Sequence, residues 1–267
     1  MRKEFLLPGG AVALGIGGFF LRHWELRTAF EPDTGLPVFG MPATWCLIAL
    51  SVLAVLAAVL MARNYRKTEF PDGYDSAFYA PHLLYFVGML LAAVAFLGAG
   101  LLGIWQYAAH VRPDVIHLVL SLLCVMVAAS FLILGRNNYK GERQGQYSLY
   151  LLIPGFTFCL WLLVTYLQRA ADPAVLDYVY GLFAVICVVL SGYFTAGFAY
   201  GHCKPFSAVL FSLLGIYFGL VALAGADLFA ALLHGGAVLY QLSNVTVFLY
   251  RTQHPTQFVT EVISDEG

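Results

Sequence analysis

The sequence predicts an all-α fold, a polytopic transmembrane helix bundle with eight spans, and three observations support this class. Hydrophobic residues make up 61% of the 267 residues, and charged residues make up only 11%. The mean hydropathy is +0.80. The apolar residues form runs of about 17 to 25, the length of a helix that crosses the hydrocarbon core of a bilayer. A water-soluble core does not need so many apolar residues, so lipid is the expected solvent.

The eight spans follow one another through short connections. The first begins after Met1-Arg2-Lys3 and imitates a signal peptide, but Ala11-Val-Ala13 lies too early for a cleavage site, so we expect an uncleaved span. Only Ala222-Leu-Ala-Gly-Ala226 separates the last two spans, with Gly225 as the expected turn. In order, the predicted spans cover about residues 5–22, 44–62, 81–105, 114–135, 147–167, 176–200, 205–223 and 226–249. We expect one transmembrane domain over residues 1–250 and a short cytoplasmic tail over residues 251–267.

The basic residues predict the orientation. With eight spans and a cytoplasmic N-terminus, ten Lys and Arg fall inside and four fall outside, which is the positive-inside bias of membrane proteins. Both termini are therefore predicted to be cytoplasmic. The inside set is Arg2, Lys3, Arg63, Arg66, Lys67, Arg136, Lys140, Arg143, Lys204 and Arg251, and the outside set is Arg22, Arg27, Arg112 and Arg169.

Two connections are longer and more hydrophilic than the others. One runs outside from His23 to Ala43, and the other runs inside from Arg63 to Ala80. Aromatic residues such as Trp24, Tyr74 and Tyr79 are typical of membrane interfaces. We expect both connections to be solvated loops with interfacial anchors.

Small residues predict which helices are central. Gly9, Ala13 and Gly17 share one face of the first span, at four-residue steps. Two such faces occur in the third span, Gly88 with Ala92 and Gly100, and Ala95 with Ala99 and Gly103. Small faces allow helix backbones to approach closely in lipid. The first and third spans are therefore expected at the centre of the bundle.

An aspartate opens each of three even-numbered spans: Asp114, Asp177 and Asp227. Duplicated helical hairpins would explain this recurrence. Alternatively, each carboxylate caps the free N–H groups at the start of a helix and meets the positive end of the helix dipole. The sequence leaves both explanations open.

Polar residues inside the spans point to a candidate site. Asp227, His234 and Gln241 recur every seven residues in the eighth span, and Asn244 follows three residues later, so all four lie near one face. His234 is expected about 10 Å below Asp227 along the helix axis. In the fourth span, His117, Ser121 and Cys124 share a face that offers a counterpart. Polar groups in lipid need either a partner or a function.

Four interpretations of these polar faces are open. In the first, the side chains form hydrogen bonds between helices and hold the bundle in register. In the second, His234, Gln241 and Asn244 line an outward-opening cavity with Asp227 at its mouth, and the cavity binds or passes a small polar ligand. In the third, His117 and His234 are axial ligands of a haem, or His234 hydrogen-bonds a quinone, in a redox membrane anchor. In the fourth, the protein is a scaffold or sensor that acts through protein partners or as a homo-oligomer.

Other classes of protein are not expected. The five cysteines show no CxxC pair, which argues against a structural zinc site or a disulfide framework, and no metal site is predicted. No HExxH or other protease motif is present, so no catalytic residue is predicted. The net charge of -1 provides no basic surface for nucleic acid. No cofactor is expected apart from haem in the third interpretation.

One segment carries a resemblance to a known group. It runs from Trp161-Leu-Leu-Val-Thr-Tyr166 through Ala170-Ala-Asp-Pro173 and Tyr178-Val-Tyr180 to Tyr193-Phe-Thr-Ala-Gly-Phe198. The segment resembles a pattern in uncharacterised polytopic membrane proteins of anaerobic Gram-positive bacteria. The resemblance implies a location in a bacterial cytoplasmic membrane. It implies no activity and no functional residues.

Overall fold

A computed structural model describes residues 3–31, 33–34, 36–68, 70, 73–142, 149–169 and 174–254 of the chain. Within these ranges the protein forms nine α-helices and no strand. Eight of them, all except α3, are long and apolar enough to cross a membrane, which confirms the predicted fold class and number of spans. The helices are α1 (Lys3–Thr28), α2 (Pro42–Arg63), α3 (Gly73–Phe78), α4 (Leu83–Ala108), α5 (Val115–Lys140), α6 (Leu149–Arg169), α7 (Val175–Gly197), α8 (Pro205–Ala222) and α9 (Leu228–Gln253).

The long helices run alternately up and down, because each connection joins the end of one helix to the start of the next at the same end of the bundle. One end of the bundle is called the upper end here. Helices α1, α4, α6 and α8 terminate there, and helices α2, α5, α7 and α9 begin there. A short 3-10 turn, Leu223–Gly225, separates α8 from α9 at the upper end. The last two predicted spans are therefore separate helices, and Gly225 lies in the turn as expected.

Six helices form a closed ring in which each packs against its neighbours in sequence, α4 to α9, and α9 returns to α4. Helix α7 also touches α9, which flattens the ring. Helices α1 and α2 lie outside the ring and pack against α8 and each other. The eight spans therefore form a ring of six helices, with α1 and α2 packed together on its outside.

The structure confirms that the third span, α4, is central in the bundle, but it does not place the first span, α1, at the centre. In α4, a Cβ on Gly100 would lie 2.8 Å from the carbonyl oxygen of Ser121, so α4 and α5 touch nearly backbone to backbone. In α1, by contrast, nothing lies within 4 Å of a Cβ on Gly9. Helix α1 packs on α8 through Gly15 and Gly18 instead. The prediction that the first span is central was wrong, because its small residues occupy more than one face and only the ring decides which face is used.

An aromatic layer fills the middle of the ring. Phe131 of α5 stacks on Tyr240 of α9 with ring centroids 4.5 Å apart, and Phe96 of α4 meets the edge of Phe131 at 5.4 Å. Phe158 of α6 lies about equally far from Phe96 and Tyr240, at 6.0 and 6.1 Å. All four side chains are buried. The layer separates the upper half of the ring interior from the lower half.

Helix α3 closes the lower end of the ring, where the sequence predicted a solvated loop. Tyr74 and Phe78 are buried, and Phe78 packs with Phe198 and Phe248. Asn138 of α5 donates hydrogen bonds to the hydroxyls of Tyr74 (3.1 Å) and of Tyr85 in α4 (2.7 Å). The prediction was wrong because a six-residue helix is too short to give a periodic pattern, and its burial depends on helices distant in sequence. Pro71 and Asp72 of the same connection lie outside the described residues.

The outer surface of the bundle is apolar at mid-height, as expected for a protein solvated by lipid. Leu53 and Leu60 of α2 are 55% and 63% exposed, and Val94 and Leu101 of α4 are each 57% exposed. So large an exposed apolar surface would be unfavourable in water. The fold and the composition therefore both indicate that a bilayer surrounds these helices.

Several predicted boundaries shift by up to six residues, and two of these shifts change the place of charged residues. Helix α1 continues to Thr28, six residues beyond the predicted end of the first span, so Arg22 and Glu25 lie in its last two turns. Helix α9 continues to Gln253, and Arg251, which was assigned to the tail, is buried and donates from Nε to the carbonyl oxygen of Tyr79 at 2.6 Å. Residues 255–267 of the predicted tail lie outside the described residues, as does Arg143.

Candidate functional site

The main cavity of the described chain lies in the upper half of the ring, between α5, α6, α7 and α9. Its volume is about 510 Å³, within the range of small-molecule sites. The end of α1 and the α8–α9 connection contribute to its rim. The aromatic layer lies below the cavity, and charged residues at the upper ends of the helices line its rim. Three of the predicted site residues, His117, Asp227 and His234, are in its wall.

His117 and His234 form the polar part of the deep wall. His117 of α5 packs against Phe229 with ring centroids 4.4 Å apart, and His234 of α9 packs against Trp161 of α6 at 4.9 Å. Both histidines are more than nine-tenths buried. Among the described residues, neither ring nitrogen of His117 has a hydrogen-bond partner, and Nδ1 of His234 has none. Unpaired buried polar atoms destabilise a fold by about 1–3 kcal/mol each. Gln241 and Asn244 also have unpaired side-chain atoms, so what distinguishes the two histidines is their place in the cavity wall.

Gln241 and Asn244 do not line this cavity, which corrects the second interpretation in part. A Cβ on Gly215 would collide with the amide of Gln241, so that side chain lies directly against α8. Asn244 lies lower, beside Thr195 of α7 and Ser212 of α8, around a void large enough for about one water molecule. Seven residues are slightly less than two helical turns, so a heptad stripe drifts by about 20° at each step. Gln241 and Asn244, the lower half of this row of polar residues, therefore turn away from the cavity towards α8.

Ser121 is also absent from the cavity wall. Its hydroxyl donates to the carbonyl oxygen of His117 at 2.8 Å within α5. The same side chain packs against Gly103 of α4, close enough that a Cβ there would collide with it. Ser121 therefore belongs to the close α4–α5 contact, and only His117 of the polar face of α5 reaches the cavity.

Asp227 lies at the mouth, as predicted, and performs two structural tasks. Its Oδ1 accepts a hydrogen bond from the backbone N–H of Ala230 at 2.8 Å, which caps the start of α9. Its Oδ2 lies 2.7 Å from Nη2 of Arg112, in the connection between α4 and α5. Capping is thus confirmed for Asp227. Asp114 forms no side-chain cap, and Asp177 lies in the first turn of α7 rather than at its cap, so capping was wrong for those two.

A second charged group of the wall was not predicted. Arg22 and Glu25 of α1 are both buried and form an ion pair of 2.5 Å. Nη2 of Arg22 also donates to the carbonyl oxygen of Asp177, and its guanidinium lies 5.3 Å from the ring centre of Tyr180. The Asp177 carboxylate in turn pairs with Arg169 at 3.2 Å. These contacts fasten α1 to the rim formed by α6 and α7.

The wall contributed by α6 was also missed. Trp161 and Thr165 lie four residues apart on one face of α6, and Gln168 follows three residues later. This spacing was visible in the sequence. It was not distinctive, because aromatic and polar residues also occur at helix ends as interfacial anchors.

A second cavity, of about 310 Å³, lies outside the ring between α1, α2 and α8. Its wall consists of aliphatic residues and Tyr217, whose hydroxyl is already hydrogen-bonded to Ser51 at 2.9 Å. It therefore offers no free polar group from its described wall, in contrast to the ring cavity. We treat the ring cavity as the candidate site.

The described residues include no group of three or more His, Cys, Asp or Glu placed to hold a metal ion. All five cysteines are free thiols.

Together, the eight apolar helices and the cavity in the upper half of the ring define a multi-pass helical membrane protein with a chamber inside its ring. The chain matches no protein-family model, no curated protein and no solved structure.

Proposed function

We propose that this membrane protein binds a small polar ligand in the ring cavity, which opens to the outer aqueous phase. The observation that carries the proposal is the placing of His117 and His234, with unpaired ring nitrogens, in the wall of a cavity of about 510 Å³. These nitrogens have almost no surface open to the cavity, so a ligand reaches them when the two imidazole rings rotate, and its hydrogen bonds then offset the cost of leaving them unpaired. Trp161 and Phe229 supply apolar faces beside the two imidazoles.

Binding is better supported than passage through the bundle. Below the cavity, the aromatic layer of Phe96, Phe131, Phe158 and Tyr240 fills the ring. Further down, α3 occupies the lower end with buried aromatic side chains. Passage would need both barriers to move, whereas binding needs neither.

The orientation belongs to the same proposal. Among the described residues, eight Lys and Arg lie at the lower end and four at the upper end, which favours a cytoplasmic lower end and cytoplasmic termini. The lower set is Lys3, Arg63, Arg66, Lys67, Arg136, Lys140, Lys204 and Arg251. The resemblance to membrane proteins of Gram-positive bacteria supports a bacterial cytoplasmic membrane as the location.

A cavity-filling variant tests the binding function. Gly181 lines the cavity, and nothing lies within 4 Å of a Cβ built there, so Gly181→Phe fills the cavity without a clash at its root. Gly155→Phe, at a second open glycine outside the cavity, is the matched control. We expect some small polar compounds to raise the unfolding temperature of the wild type and the control but not of Gly181→Phe. Equal shifts in all three proteins for every stabilising compound would contradict the proposal.

A haem or quinone anchor is the second candidate, because His117 and His234 lie in the wall of the same cavity. The test is the visible absorption spectrum of the purified protein. A Soret band that disappears in His117→Ala or His234→Ala would favour haem, and a colourless protein would exclude it. The scaffold or sensor hypothesis stays a prediction, which repeated isolation of the chain alone in mild detergent would weaken.

A further inference from the structure

The charged residues in the described wall of the ring cavity lie around its mouth, and most of them are paired with one another. Three arginines and three aspartates are in the described wall: Arg22, Arg112, Arg169, Asp114, Asp177 and Asp227. One more carboxylate, Glu25, lies behind Arg22 and is paired with it. The deep wall, by contrast, consists of His117, His234, Trp161 and their apolar neighbours.

The arginines of the mouth are already bound to protein groups. Arg112 pairs with Asp227 at 2.7 Å, and Arg169 pairs with Asp177 at 3.2 Å. Arg22 uses one terminal nitrogen for Glu25 and the other for the carbonyl oxygen of Asp177. The charge of each guanidinium in the described wall is therefore already offset by a protein group.

The carboxylates leave little attraction for a cation. Asp177 and Asp227 are paired as described, and Asp114 is exposed at the start of α5, where water and the helix dipole stabilise its charge. A charge moved from water into a partly enclosed site loses hydration, and only a fixed counter-charge offsets the loss. The deep wall provides no permanent counter-charge, because its only titratable groups apart from tyrosines are the imidazoles of His117 and His234.

We infer that the cavity selects a ligand without net charge, and that the Arg112–Asp227 ion pair maintains this selection at the mouth. The inference rests on the proposed binding function and names its ligand class. Such a ligand carries hydroxyl, amide or carbonyl groups for the unpaired nitrogens of His117 and His234, together with an apolar face for Trp161 and Phe229. It is small enough for a volume of about 510 Å³.

The test measures the electrostatic preference of the cavity with thiol reagents of different charge. A Gly181→Cys variant places a thiol in the wall at a position with open space. It is treated in detergent with methanethiosulfonate reagents that are neutral, anionic (sulfonatoethyl) or cationic (trimethylammonioethyl). The thiolate attacks the reagent sulfur, a mixed disulfide forms, and methanesulfinate leaves. Tandem mass spectrometry follows modification at residue 181, and each rate is divided by that of a free thiol in solution.

Wild type supplies the background, and Gly155→Cys supplies a matched control outside the cavity. Burial raises the pKa of the native Cys203 thiol, which keeps its reaction slow. The informative quantity is the ratio of the anionic to the cationic rate, because a change in the thiolate fraction at residue 181 affects both rates equally and cancels.

We expect residue 181 to react with the neutral reagent at least about fivefold faster than with either charged reagent, and the anionic and cationic rates there to agree within about fivefold. Residue 155 should react much more slowly with the charged pair. Adding Asp227→Asn should raise the ratio about fivefold because Arg112 is then unbalanced, and adding Arg112→Gln should lower it about fivefold. Charged rates equal to the neutral rate at residue 181, a ratio of anionic to cationic rates outside the fivefold limits, or ratios that neither charge variant changes would overturn the inference and leave the binding function standing. No reaction at residue 181 with any reagent, or equal rates at 155 and 181, would overturn the binding function itself.

Discussion

The guanidinium of Arg112 lies 2.7 Å from the carboxylate of Asp227, although 115 residues separate them in the sequence. One belongs to the connection that precedes α5, and the other caps α9, so this contact joins two walls of the ring at the mouth of the cavity. Neither helix could position this pair alone. The pair therefore reports on whether the ring is assembled.

Variants of this pair should separate capping from ion pairing. Both side chains are exposed, 40% for Arg112 and 44% for Asp227, so the ion pair itself is expected to stabilise the fold by at most about 1 kcal/mol. Asp227→Ala loses the cap as well, which adds about 1 kcal/mol, whereas Asp227→Asn keeps a good cap. Thermal unfolding in detergent should rank Asp227→Ala as less stable than Asp227→Asn or Arg112→Gln. Equal stability of the two Asp227 variants would contradict the assigned cap.

The close contact between α4 and α5 should not tolerate a side chain at Gly100. A Cβ there would lie 2.7 Å from Val125 and 2.8 Å from the carbonyl oxygen of Ser121, and the backbone oxygen cannot move easily. We expect Gly100→Ala to destabilise the protein by about 1–3 kcal/mol. Gly155→Ala is the control, because its Cβ meets nothing within 4 Å and alanine favours helix. If both variants unfold at the same temperature, the two helices are not this close.

The buried pair of Arg22 and Glu25 should behave as a coupled unit. Arg22→Met leaves the Glu25 carboxylate buried without its partner, a change that destabilises a fold by about 3–5 kcal/mol. The double variant Arg22→Met with Glu25→Gln removes the uncompensated charge and should recover a large part of the loss. A double-mutant cycle on unfolding free energies measures the coupling. Strict additivity of the two single changes would show that the pair is not formed.

Asn138 should hold α3 in place. Its side-chain nitrogen donates to the hydroxyls of Tyr74 and Tyr85, and burial raises the pKa of Tyr74 well above its ordinary value, so that hydroxyl stays protonated. Asn138→Ala leaves both hydroxyls without this donor, at about 1–3 kcal/mol for each group that finds no other partner. Hydrogen exchange over residues 73–80 should accelerate. Tyr85→Phe, which keeps the bond to Tyr74, should affect that segment less, and an equal effect of both variants would argue against the role of Asn138.

The sequence was sufficient for the spans because their signal is local. A run of apolar residues long enough to cross a bilayer predicts a helix wherever it occurs, since lipid leaves no other way to pair backbone groups. Asp227 at the mouth and His234 below it followed from the same helical geometry. Helix α3 could not be predicted in this way, because a six-residue segment such as Gly73–Phe78 is buried only by helices that the rest of the chain supplies.

The candidate site was predicted only in part, for a related reason. A row of polar residues identifies one face of a helix, but it does not show which neighbouring helix that face contacts. Gln241 and His234 belong to one stripe, yet one lies against Gly215 of α8 and the other lines the cavity. Arg22 and Trp161 carried no distinctive signal, because charged and aromatic residues are ordinary at the ends of membrane helices.

The sequence by itself determined that lipid surrounds this chain, that eight helices cross it, and which residues lie at similar depths. These properties follow from the one-dimensional spacing of apolar and polar side chains along a helix of fixed rise. The tertiary structure alone decided that six helices close a ring, that aromatic side chains divide its interior, and that His117 and His234 line one chamber. Those properties depend on which helix faces pack together, and that choice is made by contacts between residues far apart in the chain.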